Sequence, residues 1–180
     1  NADNKALIHL YTTKNLAPYE KFTFTNNIVY NKTPCTGQIL NWGLQTEFTE
    51  GNLTAIISNN TIINIAGYNP YFRHNKGSLT MTKNIFYVDS SLAKNSNLYT
   101  YVGNNTHPVN VTTVDVKDNI VYGLASSNKW YNYHSNCDAN AKVDPYVLTP
   151  YSTAPLTITD AENGIFDLAA DMEGYGANIE

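Results

Sequence analysis

A nine-residue pattern returns four times in this chain, at Phe22–Tyr30, Ala55–Ile63, Leu79–Tyr87 and Val114–Tyr122. Each copy holds one asparagine in the same place, Asn27, Asn60, Asn84 or Asn119, with apolar residues five and three positions before it and two after it. The positions between are mostly polar. Alternation with a period of two is the mark of a β-strand, and here it runs on both sides of a bend. The asparagines are 33, 24 and 35 residues apart. That spacing is too irregular for a helical repeat and natural for a constant core joined by loops of varying length.

Such a period in a strand-forming pattern points to an all-β solenoid, a parallel β-helix whose coils lie about 4.8 Å apart. Equivalent side chains then stack in columns. One column holds Phe22, Ala55, Leu79 and Val114, a second Phe24, Ile57, Met81 and Val116, and a third Val29, Ile62, Phe86 and Val121. All three are apolar and are expected to form the core. The asparagines make a fourth column at the bend, where each amide bonds those above and below it, as ladders of stacked strands do. A buried amide left without a partner costs about 1–3 kcal/mol. The ladder therefore holds the register against a one-residue slip, which would turn every apolar side chain outward.

A second strand precedes each copy: Leu7–Leu10, Ile39–Trp42, Tyr71–Arg73, Leu98–Val102 and, after the last copy, Trp130–Tyr133. Each coil thus has at least three strands, and the stack about five coils. Residues 31–38 and 90–97 read as loop excursions, the second with a helical turn at Ser91–Lys94. The chain is expected to be one domain, with coils over 1–136 and a final partial coil and C-terminal cap over 137–180. In that cap Ile165–Leu168 is a last strand, and the segment covers the open end of the stack against edge-to-edge growth. The carboxylates between Asp160 and Glu180 read as a solvated surface. The N-terminal end has no cap of its own, so upstream coils or a neighbouring chain are expected to cover it.

Composition limits the classes of function. A hydrophobic content of 42% with only 14% charged residues suits a folded, β-rich chain. The net charge of −4 gives no reason to expect nucleic acid as a partner. No apolar run approaches the ~20 residues of a transmembrane helix. The first residue is Asn1 and the pattern starts almost at once, so a removed targeting segment is expected upstream. Cys35 and Cys137 fall three or four coil rises apart, roughly 15–19 Å, against a Cα limit near 7 Å for a disulfide. Two free thiols are expected.

Chemistry is sparse on the coil surface. The outward positions of the strand before each ladder asparagine are Thr23, Thr25, Ile56, Ser58, Thr80, Thr82, Asp115 and Lys117, with a single acid among them. Calcium needs about six to eight oxygen ligands, and glycoside hydrolysis needs two carboxyl groups about 5–10 Å apart. Neither set is visible, and Asp115 with Lys117 reads as a surface ion pair. His9, His74 and His134 fall on the preceding strands two coils apart, roughly 10 Å, too far to share a zinc ion at about 2.0–2.1 Å from each ligand. No metal and no cofactor is expected. The aromatic supply is richer, with 14 tyrosines and two tryptophans. Tyr30, Tyr87 and Tyr122 share an outward column with Ile63, beside Ile28, Ile85 and Ile120. Either a loop or the C-terminal tail packs over this stripe, or sugar rings or a partner protein lie along it. Trp130, Tyr131 and Tyr133 form a second aromatic candidate, and Arg73, the sole arginine, completes the candidate ligand contacts.

The coil pattern, as in Phe24-Thr-Asn-Asn27-Ile-Val29, resembles the right-handed parallel β-helix of the pectate-lyase-like superfamily. The Asn- and Tyr-rich composition, with Gly164–Leu168 and Gly174–Ala177, resembles more particularly β-helix domains in surface lipoproteins of gut bacteria. The resemblance implies a right-handed coil and an extracellular or cell-surface location, with a lipid anchor as one form of it. The superfamily spans polysaccharide lyases, hydrolases, esterases and non-catalytic binding modules, so fold does not fix function. The expectation is a non-catalytic glycan-recognition or accessory module with a polysaccharide partner. The alternatives are a lyase or hydrolase of uronate polymers whose groove lies in upstream coils, and a structural or adhesive spacer.

Overall fold

The computed structural model describes residues 6–10, 21–36, 38–42, 53–66, 68–72, 76–88, 99–102, 110–123, 131–132 and 152–178. Strands follow one another in triplets. The first triplet is β1 (Ala6–Leu10), β2 (Lys21–Thr25) and β3 (Ile28–Thr36), and the second β4 (Gln38–Trp42), β5 (Leu53–Ser58) and β6 (Thr61–Ala66). The third is β7 (Tyr68–Phe72), β8 (Lys76–Thr82) and β9 (Ile85–Tyr87), and the fourth β10 (Tyr99–Val102), β11 (Asn110–Lys117) and β12 (Ile120–Tyr122). Strand β13 (Tyr131–Asn132) follows. The first members pair in the order β1-β4-β7-β10-β13, the second members as β2-β5-β8-β11 and the third as β3-β6-β9-β12. Every neighbour in these three sheets is parallel. The fold is all-β.

Register aligns the repeat. Phe22 is the Cα partner of Ala55, Ala55 of Leu79 and Leu79 of Val114, and Phe24, Ile57, Met81 and Val116 line up in the same way two residues on. In the third sheet Val29, Ile62, Phe86 and Val121 are matched. Side chains of the middle rungs are closed from water: Ala55, Leu79 and Met81 are at 0% exposure, and Ile62 and Phe86 at 1%. At the β2 edge Phe22 and Phe24, stacked with centroids 6.4 Å apart, are only half-buried.

The four asparagines join their rungs at the bend between the second and third sheets. Asn27 donates from its backbone N and from Nδ2 to Asn60 Oδ1, at 3.0 and 3.1 Å. Asn60 donates likewise to Asn84 Oδ1, at 3.0 and 2.9 Å, and Asn84 to Asn119 Oδ1, at 3.0 and 2.8 Å. The remaining amide hydrogens go to backbone oxygens, such as Ile57 O from Asn84 and Met81 O from Asn119. Each oxygen therefore takes two donors from one side, which gives the ladder a direction. The residue just before each ladder position turns the corner with a left-handed backbone: Asn26, Asn59, Lys83 and Asp118 have φ of 58°, 53°, 57° and 53°. Asn and Asp tolerate that region better than most residues, which explains three of the four choices.

Two expectations need correction here. Residues 31–38 are not a loop; β3 runs on to Thr36, and residues 31–34 oppose Asn64 alone. Asn64 is left-handed, with φ of 63°, buried, and donates from Nδ2 to Asn31 O at 3.1 Å, so the surplus residues are absorbed as a bulge. Nor do residues 152–178 cover the end of the stack. They form an antiparallel hairpin, β14 (Leu156–Asp160) and β15 (Ile165–Leu168), then a 3₁₀ turn at Ala170–Met172, and lie against the side of the third sheet, while 137–151 fall outside the described residues. The reason is apolar area, as the next subsection shows. The helical turn expected at Ser91–Lys94 lies outside the described residues, as does Cys137; Cys35 is a free thiol.

Asn84 is at 0% exposure, while Asn27 at the edge is half-buried and open to replacement by water. Asn84→Ala is expected to lower unfolding free energy by about 2–4 kcal/mol, because it orphans two buried donors on Asn60 and removes one of the two donors to Asn119 Oδ1. Asn27→Ala is expected to cost about 1 kcal/mol or less. Urea unfolding of both variants tests this; equal losses would show that burial does not grade the ladder.

Candidate functional site

The outward faces of the second and third sheets differ in chemistry. On the second sheet Thr23 and Thr25 are exposed, and Ser58, Thr80 and Thr82 partly so. Lys117 Nζ lies 3.1 Å from Asp115 Oδ2 there, with both side chains well exposed. A surface pair of this kind contributes about 1 kcal/mol at most. On the third sheet the outward columns are Ile28, Thr61, Ile85, Ile120 and Tyr30, Ile63, Tyr87, Tyr122. A face so apolar needs a cover.

The C-terminal segment supplies it. Ile63 and Ile85, both at 0% exposure, form one cluster with Leu156, Phe166 and Met172, and Tyr30, Tyr87, Ile120 and Tyr175 pack around it. Burying each isoleucine contributes about 1.5–3 kcal/mol. Tyr30 anchors the hairpin: its hydroxyl donates to Ala161 O at 2.5 Å, and Gly164 lies flat on its ring, where an added Cβ would meet Cδ1 at 3.0 Å. Lys32 in the bulge pairs with Glu162 in the hairpin turn. Tyr30 is therefore a packing residue and not an open ligand platform. Tyr87 and Tyr122 stack on each other, with centroids 5.4 Å apart and planes 16° from parallel, and remain half-buried. Of the other sequence candidates, Arg73, Trp130 and Tyr133 lie outside the described residues, and Tyr131 opens β13 as the partner of Tyr99.

Beyond the 3₁₀ turn the tail runs back along the column of left-handed corners. Asn59 Nδ2 donates to Gly174 O at 2.9 Å, Gly176 N to Lys83 O at 2.8 Å, Ala177 N to Thr61 Oγ1 at 2.9 Å and Asn178 N to Asn26 Oδ1 at 2.6 Å. Gly176, with φ of 66°, fits because a Cβ there would stand 2.5 Å from Thr61 Oγ1 and 2.8 Å from Ile85 Cδ1. Between the tail and the corner column lies a groove of about 910 Å³. Thr25, Asn26 and Asn59 line it from the bend after β2 and β5, and Asp167, Leu168, Met172, Glu173 and Tyr175 from the cover. Asp167 and Glu173 are exposed, and Tyr175 is half-buried. Sequence reasoning missed this site, having taken Asp167 and Glu173 as part of a solvated acidic stretch. The available signal was the left-handed residue ahead of each ladder asparagine, which marks where a tail can bond a bare corner.

Among the described residues no three His, Cys, Asp or Glu side chains gather as metal ligands would, and no helix is long and apolar enough to cross a membrane. No protein-family model, curated protein or solved structure matches the chain.

Gly176→Ala should loosen the tail. The added methyl meets both a hydroxyl and a left-handed backbone, and a stability loss of about 1–3 kcal/mol is expected. Faster amide exchange at Gly176 and Ala177 than in the parent checks it; unchanged exchange would count against the docking.

The hairpin turn carries a pH signature. Asp160 accepts from Asn163 Nδ2 at 2.7 Å, from Asn163 N at 3.1 Å and from Glu162 N at 3.0 Å. The Asn163 side chain foremost, then its backbone N–H, holds the carboxyl below its ordinary value of 3.8. A depressed folded value means that the turn's contribution is complete above the unfolded value and fades as pH falls through the lower folded one. Asn163→Ala is expected to raise the Asp160 midpoint toward 3.8, read by carboxyl carbon shifts; no movement would assign the shift elsewhere.

Proposed function

We propose that the chain is a right-handed parallel β-helix that serves as a non-catalytic, surface-exposed glycan-recognition module, with the groove beside the corner column as its saccharide seat. Rotation of the strands through three parallel sheets, triplet after triplet, supports the coiled architecture. Parallel crossovers are right-handed in nearly all folds, which supports the handedness. An extracellular or cell-surface location goes with this reading.

The observation that carries the function is the groove itself. Ligand sites are concave, with an apolar lining and a few convergent polar groups. Here Leu168, Met172 and Tyr175 offer apolar and aromatic surface to a sugar ring, and Asp167, Glu173 and Asn59 offer oxygens to its hydroxyls. The Asp115–Lys117 pair is not part of this lining.

A glycan array tests the proposal. The chain is expected to bind at least one saccharide class, and the double variant Asp167→Ala/Glu173→Ala to lose about tenfold or more in affinity, since hydrogen bonds to charged groups contribute about 1.5–3 kcal/mol each. Tyr122→Ala probes the stacked pair outside the groove lining; loss there with the groove variant intact would move the site to the tyrosine column. Absence of binding to every glycan would leave the spacer reading, and unsaturated product from a uronate polymer would favour the lyase.

A further inference from the structure

We infer that the groove selects a neutral, hydroxyl-rich saccharide and rejects uronates, an inference that rests on the groove being a glycan seat. Among the described residues its charge is of one sign: the charged side chains in its lining are Asp167 and Glu173, and no described lysine, arginine or histidine lines it. Lys83 occupies the next corner of the column, but only its backbone oxygen meets the tail and its side chain is not part of the lining.

Hydrogen-bond polarity points the same way. On the coil wall one amide hydrogen of each corner asparagine is engaged with the tail: Asn59 Nδ2 with Gly174 O, and Asn26 Nδ2 with Asn178 O at a long 3.5 Å. Asn59 Oδ1 has no partner among the described residues, and the carboxylates of Asp167 and Glu173 make no ion pair or hydrogen bond there. The groove thus presents two carboxylates, which only accept, beside the hydroxyls of Thr25 and Tyr175. A neutral sugar brings a hydroxyl on nearly every ring carbon, and each hydroxyl can donate. A uronate brings a carboxylate, which only accepts, into a concavity already holding two of them. Like charges a few ångströms apart in a partly desolvated groove repel strongly enough to cost roughly tenfold in affinity.

The test compares neutral hexose oligomers with oligogalacturonates of equal length, by titration calorimetry at low and at raised salt. Neutral oligomers are expected to bind about tenfold or more tightly, and the gap to shrink at raised salt, where the screening length falls to about 3 Å at 1 M. Asp167→Asn/Glu173→Gln is expected to narrow the gap by raising oligogalacturonate affinity, which a merely structural role for these exposed side chains would not do. Equal or tighter binding of oligogalacturonate to the parent chain would overturn this selectivity while leaving glycan recognition standing. Failure of both oligomer classes, with a silent glycan array, would overturn the glycan seat and the selectivity together.

Discussion

A buried primary amide has two hydrogens and an oxygen with two lone pairs to satisfy, and the chain meets these by stacking one asparagine on another and giving the second hydrogen to a backbone oxygen. Asn60 and Asn84, at 0% exposure, each take two donors on Oδ1 from the rung before and pass two on to the rung after. The bond pattern closes only when successive rungs are in one register, because a shifted strand would leave amides buried and unpaired. Other features follow from that. Apolar columns face inward because the ladder fixes which residues are five and three before it, and the corner residues are left-handed because the chain must turn within one residue of the amide.

The corner column then becomes a docking rail. A left-handed corner turns backbone and side-chain polar groups outward, so Asn59, Lys83 and Asn26 meet the tail at Gly174, Gly176 and Asn178. The same column therefore joins rungs on its inner side and holds the cover on its outer side. Hydrogen bonds place the tail, whereas the area buried by Ile63, Ile85, Phe166 and Met172 supplies the greater part of the energy that keeps it there.

Much of this was legible in the residues. The matched positions Phe24, Ile57, Met81 and Val116 are set by alternation about the asparagines, and parallel pairing follows once four copies of one pattern must stack. The extra residues before Cys35 were harder to read, because Asn64 absorbs them through a backbone conformation that its sequence neighbours do not announce. The C-terminal segment was read as a strand at Ile165–Leu168, but its partner Leu156–Asp160 and its place on the side of the stack were not. Terminal position suggested an end cap. Destination is set instead by which face is left apolar, a property of residues far away in sequence such as Tyr30 and Ile85.

That face also explains why the groove lies where it does. Residues outward on the second sheet are, Ile56 apart, threonine, serine and an ion pair, and they meet water with little loss; residues outward on the third sheet are, Thr61 apart, isoleucine and tyrosine, and they do not. The boundary between the two chemistries is the bend at Asn26 and Asn59, so the cover must stop there. A cover that ends at a convex corner leaves a re-entrant edge, walled by polar corner side chains on one side and by its own margin on the other. Asp167 sits on that margin because β15 alternates as a half-buried strand does, with Phe166 turned in and its neighbours turned out, and Glu173 because it follows the 3₁₀ turn that buries Met172. The acidic margin of the groove is thus a by-product of patterning the cover to hold one sheet dry.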